Sequence, residues 1–170
     1  MKKLMMLSGL CAVLMMGLWA VSAAPAPTSF AGIWTLDKSK SDLSGRMANI
    51  EGLTWTITQD DKQLTLKPEL VGSGGGGRGM GMMNQPQTYN LDGSETTSEF
   101  NAGQFSGKIT RKAKWNGKVL ELHTVITTDN GSRTTTEHWE PAEDGKVLKV
   151  HRQSESPNGP METKMTFNKK

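Results

Sequence analysis

Short runs of alternating apolar and polar residues, separated by tight-turn signals, are the feature that most constrains the fold of this chain. From Leu53 to Thr58 every second residue is a threonine, so a strand there has one apolar face and one polar face. The run from Phe30 to Leu36 has the same period, with Trp34 on the face of Phe30. Alternation of this kind is typical of half-buried antiparallel strands.

Hairpin-turn signals recur along the rest of the chain, as in Asp92-Gly93, Asn116-Gly117 and Asp129-Asn130-Gly131. The pattern predicts an all-β domain of about eight to ten antiparallel strands, with at most one short helix, near residues 41–48. A meander of this size normally closes into an up-and-down barrel, because closure removes its exposed edges.

A glycine- and methionine-rich segment over residues 72–85 interrupts this rhythm. Glycine loses more backbone entropy on ordering than other residues and adds no side chain to a core, so we expect a flexible loop or a flap over the barrel mouth. Met80, Met82 and Met83 leave open a second interpretation, in which soft thioether sulfurs bind Cu(I).

The first 23 residues predict a cleavable export signal. Met1-Lys2-Lys3 is basic, Leu4 to Val21 carries no charge, and small residues close the segment at Ala23. A membrane anchor is the alternative, since an apolar run of about 18 residues approaches the length that spans a bilayer. The small residues and Pro25-Ala26-Pro27 that follow favour cleavage and a periplasmic or secreted protein.

Cleavage would change the composition that bears on function. The mature chain would retain about 147 residues, the size of one domain, with 24–29 as an extended lead-in and 30–169 as the barrel. Loss of Lys2 and Lys3 lowers the basic count from 20 to 18 against 17 acidic residues, which does not indicate nucleic-acid binding. Cys11, the only cysteine, would also leave, so disulfides and cysteine-ligated metals are excluded.

The opening strand, with Phe30, Gly32 and Trp34, resembles the Gly-x-Trp kernel of the calycin group, which contains the lipocalins and the fatty-acid-binding proteins. The resemblance covers residues 30–169 and looks closest to small exported bacterial lipocalin-like proteins. It implies a barrel floor where Gly32 leaves room for a crossing chain. A basic side chain of the last strand would cover Trp34, and Lys164 is the nearest match. The apolar positions of the predicted strands give a wall or core formed by Trp34, Trp55, Phe105, Trp115, Leu120, Leu122 and Phe167.

Two arginines share the parity of apolar residues: Arg111 with Ile109 and Ala113, and Arg152 with Val150. A buried guanidinium requires a partner, since desolvating it alone costs several kcal/mol. The head group of an amphipathic ligand would serve, and Tyr89 lies on a strand from which it would join the two arginines. The alternative is a register slip at a bulge, or a rim position where each arginine reaches water.

The histidines do not predict a metal site by spacing. His123, His138 and His151 are each expected on a solvated strand face, although they lie on three successive strands and would then stand side by side. No metal or cofactor is therefore predicted, and a cross-strand histidine cluster is kept as a hypothesis.

The leading functional hypothesis is a monomeric, non-catalytic carrier of a small hydrophobic or amphipathic, fatty-acid-like molecule. The proposed ligand residues are Arg111, Arg152, Tyr89, Trp55, Phe105, Trp115 and Leu122. The alternative is a structural or interaction module whose barrel interior is filled. An enzyme that uses the barrel mouth is a weaker third hypothesis, because no nucleophile elbow, phosphate loop or distinctive carboxylate pair occurs.

Overall fold

A computed structural model describes residues 28–72, 84–102 and 105–170, so the predicted signal and most of the glycine-rich loop lie outside the described residues. The ten strands of these segments have the following bounds: β1 Gly32–Leu36, β2 Gly52–Gln59, β3 Gln63–Val71, β4 Gln87–Asn90, β5 Thr96–Ala102, β6 Phe105–Asn116, β7 Val119–Thr128, β8 Gly131–Ala142, β9 Val147–Glu155 and β10 Met161–Lys169.

All ten strands form one antiparallel sheet in the order β4-β3-β2-β1-β10-β9-β8-β7-β6-β5. Each strand except β1 and β10 pairs only with its neighbours in sequence, and β1 joins the two ends of the chain by pairing with both β2 and β10. The sheet curls until its edge strands approach, where the Thr96 hydroxyl donates to the Thr88 carbonyl oxygen at 3.1 Å. The prediction of an up-and-down antiparallel barrel is confirmed.

The predicted short helix near residues 41–48 is a single 3₁₀ helix, Gly45–Asn49. Two further 3₁₀ turns, Lys38–Lys40 and Glu143–Gly145, lie in connections between strands. No α-helix occurs in the part of the chain that the structure describes, and none of its helices could span a bilayer.

Large aromatic side chains fill one end of the barrel, which we call the floor; the turns at residues 60–62, 117–118 and 143–146 lie there. The Trp55 ring stacks on Phe167 with centroids 4.1 Å apart and on Trp139 at 5.1 Å. Phe30 meets Trp139 edge-on at 5.7 Å and stacks on Trp115 at 5.9 Å. Aromatic pairs at these separations add about 0.5–1.5 kcal/mol each to the effect of burial.

The kernel residues act together at this floor. Trp34 is 1% exposed, and its indole N–H donates to the Phe30 carbonyl oxygen at 2.7 Å. Lys169, at the end of β10, places its ammonium 5.1 Å from the Trp34 ring centroid. A Cβ on Gly32 would lie 2.7 Å from the Lys169 Cε. Because glycine has no side chain, the Lys169 side chain has space to reach the Trp34 ring.

The prediction that Lys164 covers Trp34 is therefore wrong. Lys164 has the opposite parity to Met165 and Phe167, and its side chain is 63% exposed, with the ammonium 3.4 Å from Glu162. Lys169 has the parity of Phe167 and takes this position.

We expect Gly32→Ala to destabilise the protein by about 1–3 kcal/mol, because Gly32 has φ of +136°, where a side chain is strained. Urea unfolding measures the change. Gly52→Ala, at the start of β2, is the matched control, since its Cβ would meet nothing closer than 3.9 Å. Equal losses in both variants would contradict a special role for the Gly32 conformation.

Candidate ligand-binding site

A polar layer lies directly above the aromatic floor, formed by inward-facing residues of adjacent strands. Leu122, Glu137 and Arg152 are aligned across β7, β8 and β9. Arg111 on β6 is aligned with Thr124, the next inward position of β7. Tyr89 from edge strand β4 reaches the same layer, since its hydroxyl lies 3.0 Å from the Thr124 hydroxyl oxygen. Four strands, β4, β6, β8 and β9, therefore bring two arginines, one carboxylate and one phenol together.

Glu137 is the centre of this layer and is 8% exposed. One carboxylate oxygen accepts from the Arg152 Nε at 2.7 Å, and the other accepts from the Trp139 indole N–H at 2.7 Å. Hydrogen bonds to an ionised group are stronger than neutral ones, at about 1.5–3 kcal/mol each. Glu137 thus neutralises Arg152 and ties the polar layer to the floor.

Tyr89 is 2% exposed and stays protonated. Its hydroxyl donates to Gln87 Oε1 at 3.2 Å, and because a phenol has one proton, Thr124 is the donor in the second bond. Burial and the negative charge of Glu137 raise the pKa of Tyr89 to about 12, against the opposing effects of Thr124, Arg111 and Arg152. At neutral pH the tyrosine is a neutral hydrogen-bonding group.

Arg111 is half-buried and differs from Arg152 in lacking a carboxylate. Its Nη1 donates only a long bond of 3.4 Å to the Ser98 hydroxyl. Its Nε is buried and has no hydrogen-bond partner among the residues that the structure describes. An unsatisfied buried donor costs about 1–3 kcal/mol, and more when it is charged.

Above this layer, toward the end that carries the turns at residues 129–130 and 156–160, the inner wall becomes polar. We call this end the mouth. Thr124, Thr135 and Ser154 stand side by side on β7, β8 and β9, with 3.1 Å between the Thr135 and Ser154 hydroxyl oxygens. Ile109 and Ile126 form a small apolar patch in the next row.

The structure brings together three predicted ligand residues, Arg111, Arg152 and Tyr89, around Glu137. It places the other predicted wall residues mostly in the floor. Trp55 and Leu122 are each 1% exposed, and Trp115 is half-buried against Phe30. Phe105 begins β6, and its side chain lies outside the described part of the molecule.

Sequence reasoning missed Glu137, which partners Arg152. The sequence did contain a sign of this role. Glu137 has the same parity as Trp139, so it is a charged residue on an apolar strand face, just as Arg111 and Arg152 are. Thr124 was missed because a threonine is common on either face of a strand.

We describe two surface depressions of the described segments, and the charged residues of the polar layer do not line either of them. The smaller, about 240 Å³, lies at the β2–β3 turn between Thr58 and Thr65. The larger, about 540 Å³, opens at the mouth along β5, β6 and β7, between Phe100 and Thr128. The larger depression lies mainly on the outer surface of the rim, because Glu99, Lys108 and Thr127 have the parity opposite to that of the inward-facing Ile109 and Ile126.

Arg152→Met should destabilise the protein by about 2–4 kcal/mol, because it leaves the Glu137 charge buried without its partner. Adding Glu137→Gln should restore much of the loss, since the amide oxygen still accepts from Trp139. Urea unfolding checks both variants, and Lys149→Met, exposed on the outer face of β9, serves as the control. A double variant no more stable than Arg152→Met would show that charge pairing is unimportant here.

Raising the pH above 10 should destabilise the protein through Tyr89. The unfolded tyrosine, with a pKa near 10, releases its proton there, whereas the folded one with a pKa of about 12 retains it. The contribution of Tyr89 to the free energy of unfolding is fully present below pH 10 and falls by about 2–3 kcal/mol as the pH approaches 12. Tyr89→Phe should remove this part of the pH dependence, measured as the difference between the two unfolding curves.

Ultraviolet titration gives an independent check, because Tyr89 is the only tyrosine of the chain. Tyrosinate absorption in the folded protein that rises with a midpoint near pH 10 would contradict the shifted pKa.

No protein-family model matches the chain, and no curated protein matches it in sequence. Solved structures match its fold. The zebrafish ileal bile acid-binding protein, solved with cholic acid, aligns with a TM-score of 0.51 at 14% identity, over 83% of this chain and 98% of that one. A mutant of the REP1-NXSQ fatty acid transporter aligns with a TM-score of 0.48 at 16% identity, over 82% of this chain and 97% of that one. At such identities the likeness concerns the fold alone, an up-and-down antiparallel β-barrel.

Proposed function

We propose that this protein is an exported, non-catalytic carrier of a small amphipathic molecule with an anionic head group. The observation that carries the proposal is the buried Arg111 Nε, which has no hydrogen-bond partner among the described residues. A carboxylate, sulfate or phosphate oxygen is the natural acceptor for a guanidinium at such a site.

The charges of the polar layer support an anion. Arg111 and Arg152 are positive, Glu137 is negative, and Tyr89 remains neutral at physiological pH. Glu137 is already paired with Arg152, so the layer retains one excess positive charge, on Arg111. Partial burial strengthens the attraction between that charge and an incoming anion, because the effective dielectric constant is lower than in water.

The packing of the barrel suggests how such a ligand would lie. Aromatic side chains occupy the floor, so the head group would meet Arg111 at the top of the polar layer and the apolar body would extend toward the mouth. Ile109 and Ile126 offer an apolar wall there. The matching fold of a protein solved with cholic acid, an amphipathic carboxylic acid, is compatible with this class of ligand.

Export rests on the sequence of the first 23 residues, and we propose a periplasmic or secreted protein on that basis. A non-catalytic role agrees with the absence of a recognised catalytic motif.

A structural or interaction module is the second candidate, and the packed floor favours it. Trp55, Trp139 and Phe167 are each no more than 1% exposed, so this half of the interior has no room for a ligand. Native mass spectrometry of protein purified from its own envelope separates the two candidates. A bound small molecule supports the carrier function. A mass equal to that of the polypeptide alone in every preparation supports the structural or interaction module.

Arg111→Met should weaken binding of a fluorescent fatty acid by about 1.5–3 kcal/mol, or about 10- to 150-fold, because it removes the charged donor. Fluorescence titration measures the dissociation constant. Lys112→Met is the matched control, since it removes the same charge from the exposed outer face of β6. Unchanged affinity in Arg111→Met, or an equal loss in Lys112→Met, would overturn the assignment.

A further inference from the structure

The outer wall of the barrel carries a group of four side chains that the interior site does not use. His138 on β8 and His151 on β9 are directly aligned, with ring centroids 6.2 Å apart. Glu121 on β7 lies beyond His138, with 3.4 Å between its Oε2 and the His138 Nε2. Lys164 is the β10 residue aligned with His151, and Glu162 reaches His151 on the diagonal, with 2.7 Å between its Oε1 and the His151 Nε2. Two carboxylates thus flank the imidazole pair, Glu121 in the same row and Glu162 on a diagonal.

The carboxylates determine which ring nitrogens remain available. A carboxylate only accepts, so the His151 Nε2 must donate to Glu162, and this hydrogen bond is the main reason that the pKa of Glu162 is lowered, with Lys164 contributing next. Glu121 biases His138 in the same direction at longer range. A neutral imidazole protonated on Nε2 presents a lone pair on Nδ1. No described residue forms a hydrogen bond with the Nδ1 of His138 or of His151.

This is the arrangement in which metal-binding histidines are found, with one ring nitrogen on the metal and the other held by a carboxylate. Zinc–nitrogen bonds are about 2.0–2.1 Å long, so one ion shared by two imidazoles holds their ring centroids about 5–6 Å apart. The observed separation of 6.2 Å lies just beyond this range. Both histidines are accessible, with 40% and 38% of their side chains exposed.

We propose that His138 and His151 bind a divalent transition-metal ion of the zinc and copper class on the outer wall of the barrel. Glu162 and, more weakly, Glu121 orient the two rings. In the described residues no group of three or more histidine, cysteine or acidic side chains is placed to hold an ion, so the protein supplies two nitrogen ligands. Water or a partner molecule completes the coordination, which makes the ion exchangeable. Nitrogen ligands favour zinc, copper and nickel over magnesium or calcium.

The test is calorimetric titration of the untagged full protein with Zn²⁺ alone, after treatment with a chelator. Zn²⁺ is chosen because it prefers nitrogen ligands to the methionine sulfurs of the glycine-rich segment. We expect one saturable site per chain, and at least tenfold weaker binding in His138→Gln and in His151→Gln. Glu162→Gln should weaken binding by about tenfold, in the range seen when a carboxylate behind a metal-bound histidine is removed.

His123→Gln is the matched control, because His123 also lies on the outer wall but its Nδ1 is 3.2 Å from the Thr136 hydroxyl oxygen. It should leave the affinity unchanged. In nuclear magnetic resonance spectra, Zn²⁺ should shift the ring signals of His138 and His151 and not those of His123. No saturable binding, or an equal loss in His123→Gln, would overturn the proposal. Ligand binding by Arg111 is independent of either result, since the two sites lie on opposite faces of the wall.

Discussion

The buried carboxylate of Glu137 is the interaction on which the rest of the interior depends. It accepts one hydrogen bond from the Trp139 indole in the aromatic floor and another from the Arg152 guanidinium above it. A carboxylate that is 8% exposed is unfavourable unless both oxygens are satisfied, and here a floor residue satisfies one and a wall residue the other. The Glu137 side chain therefore links the aromatic floor to the polar layer through two hydrogen bonds.

This pairing also gives the two interior arginines different roles. Arg152 is aligned with Glu137 across β8 and β9, and its charge is neutralised within the protein. Arg111 lies one inward row nearer the mouth, aligned with Thr124, and among the described residues its hydrogen bond is to the Ser98 hydroxyl. A ligand anion would compete with Glu137 for Arg152 but with no carboxylate for Arg111. Arg111, whose Nε has no hydrogen-bond partner among the described residues, is thus the arginine that the proposed ligand would meet.

Period-two alternation in the sequence was enough to predict the strands, the barrel and the inward direction of Arg111 and Arg152. It did not predict which residues meet across strands, because cross-strand register depends on turn geometry and on the closure of the whole sheet. The Glu137 partner of Arg152 was missed for this reason. Lys169 was missed for a different reason. It lies at the end of the last strand, where a long flexible side chain reaches Trp34 only because Gly32 leaves space for it.

Because successive residues of a strand face opposite sides of the sheet, the β8–β9 hairpin carries residues of both the inner and the outer site. Glu137 and Arg152 face inward as an aligned pair of β8 and β9, and the next aligned pair, His138 and His151, faces outward. A one-residue slip between these strands would separate both pairs, since it moves every side chain against a new neighbour. A metal ion held by the two histidines would cross-link β8 to β9 in the register that the internal ion pair requires. Each proposed site would thereby favour the strand alignment on which the other depends, although the two ligands would approach from opposite sides of the wall.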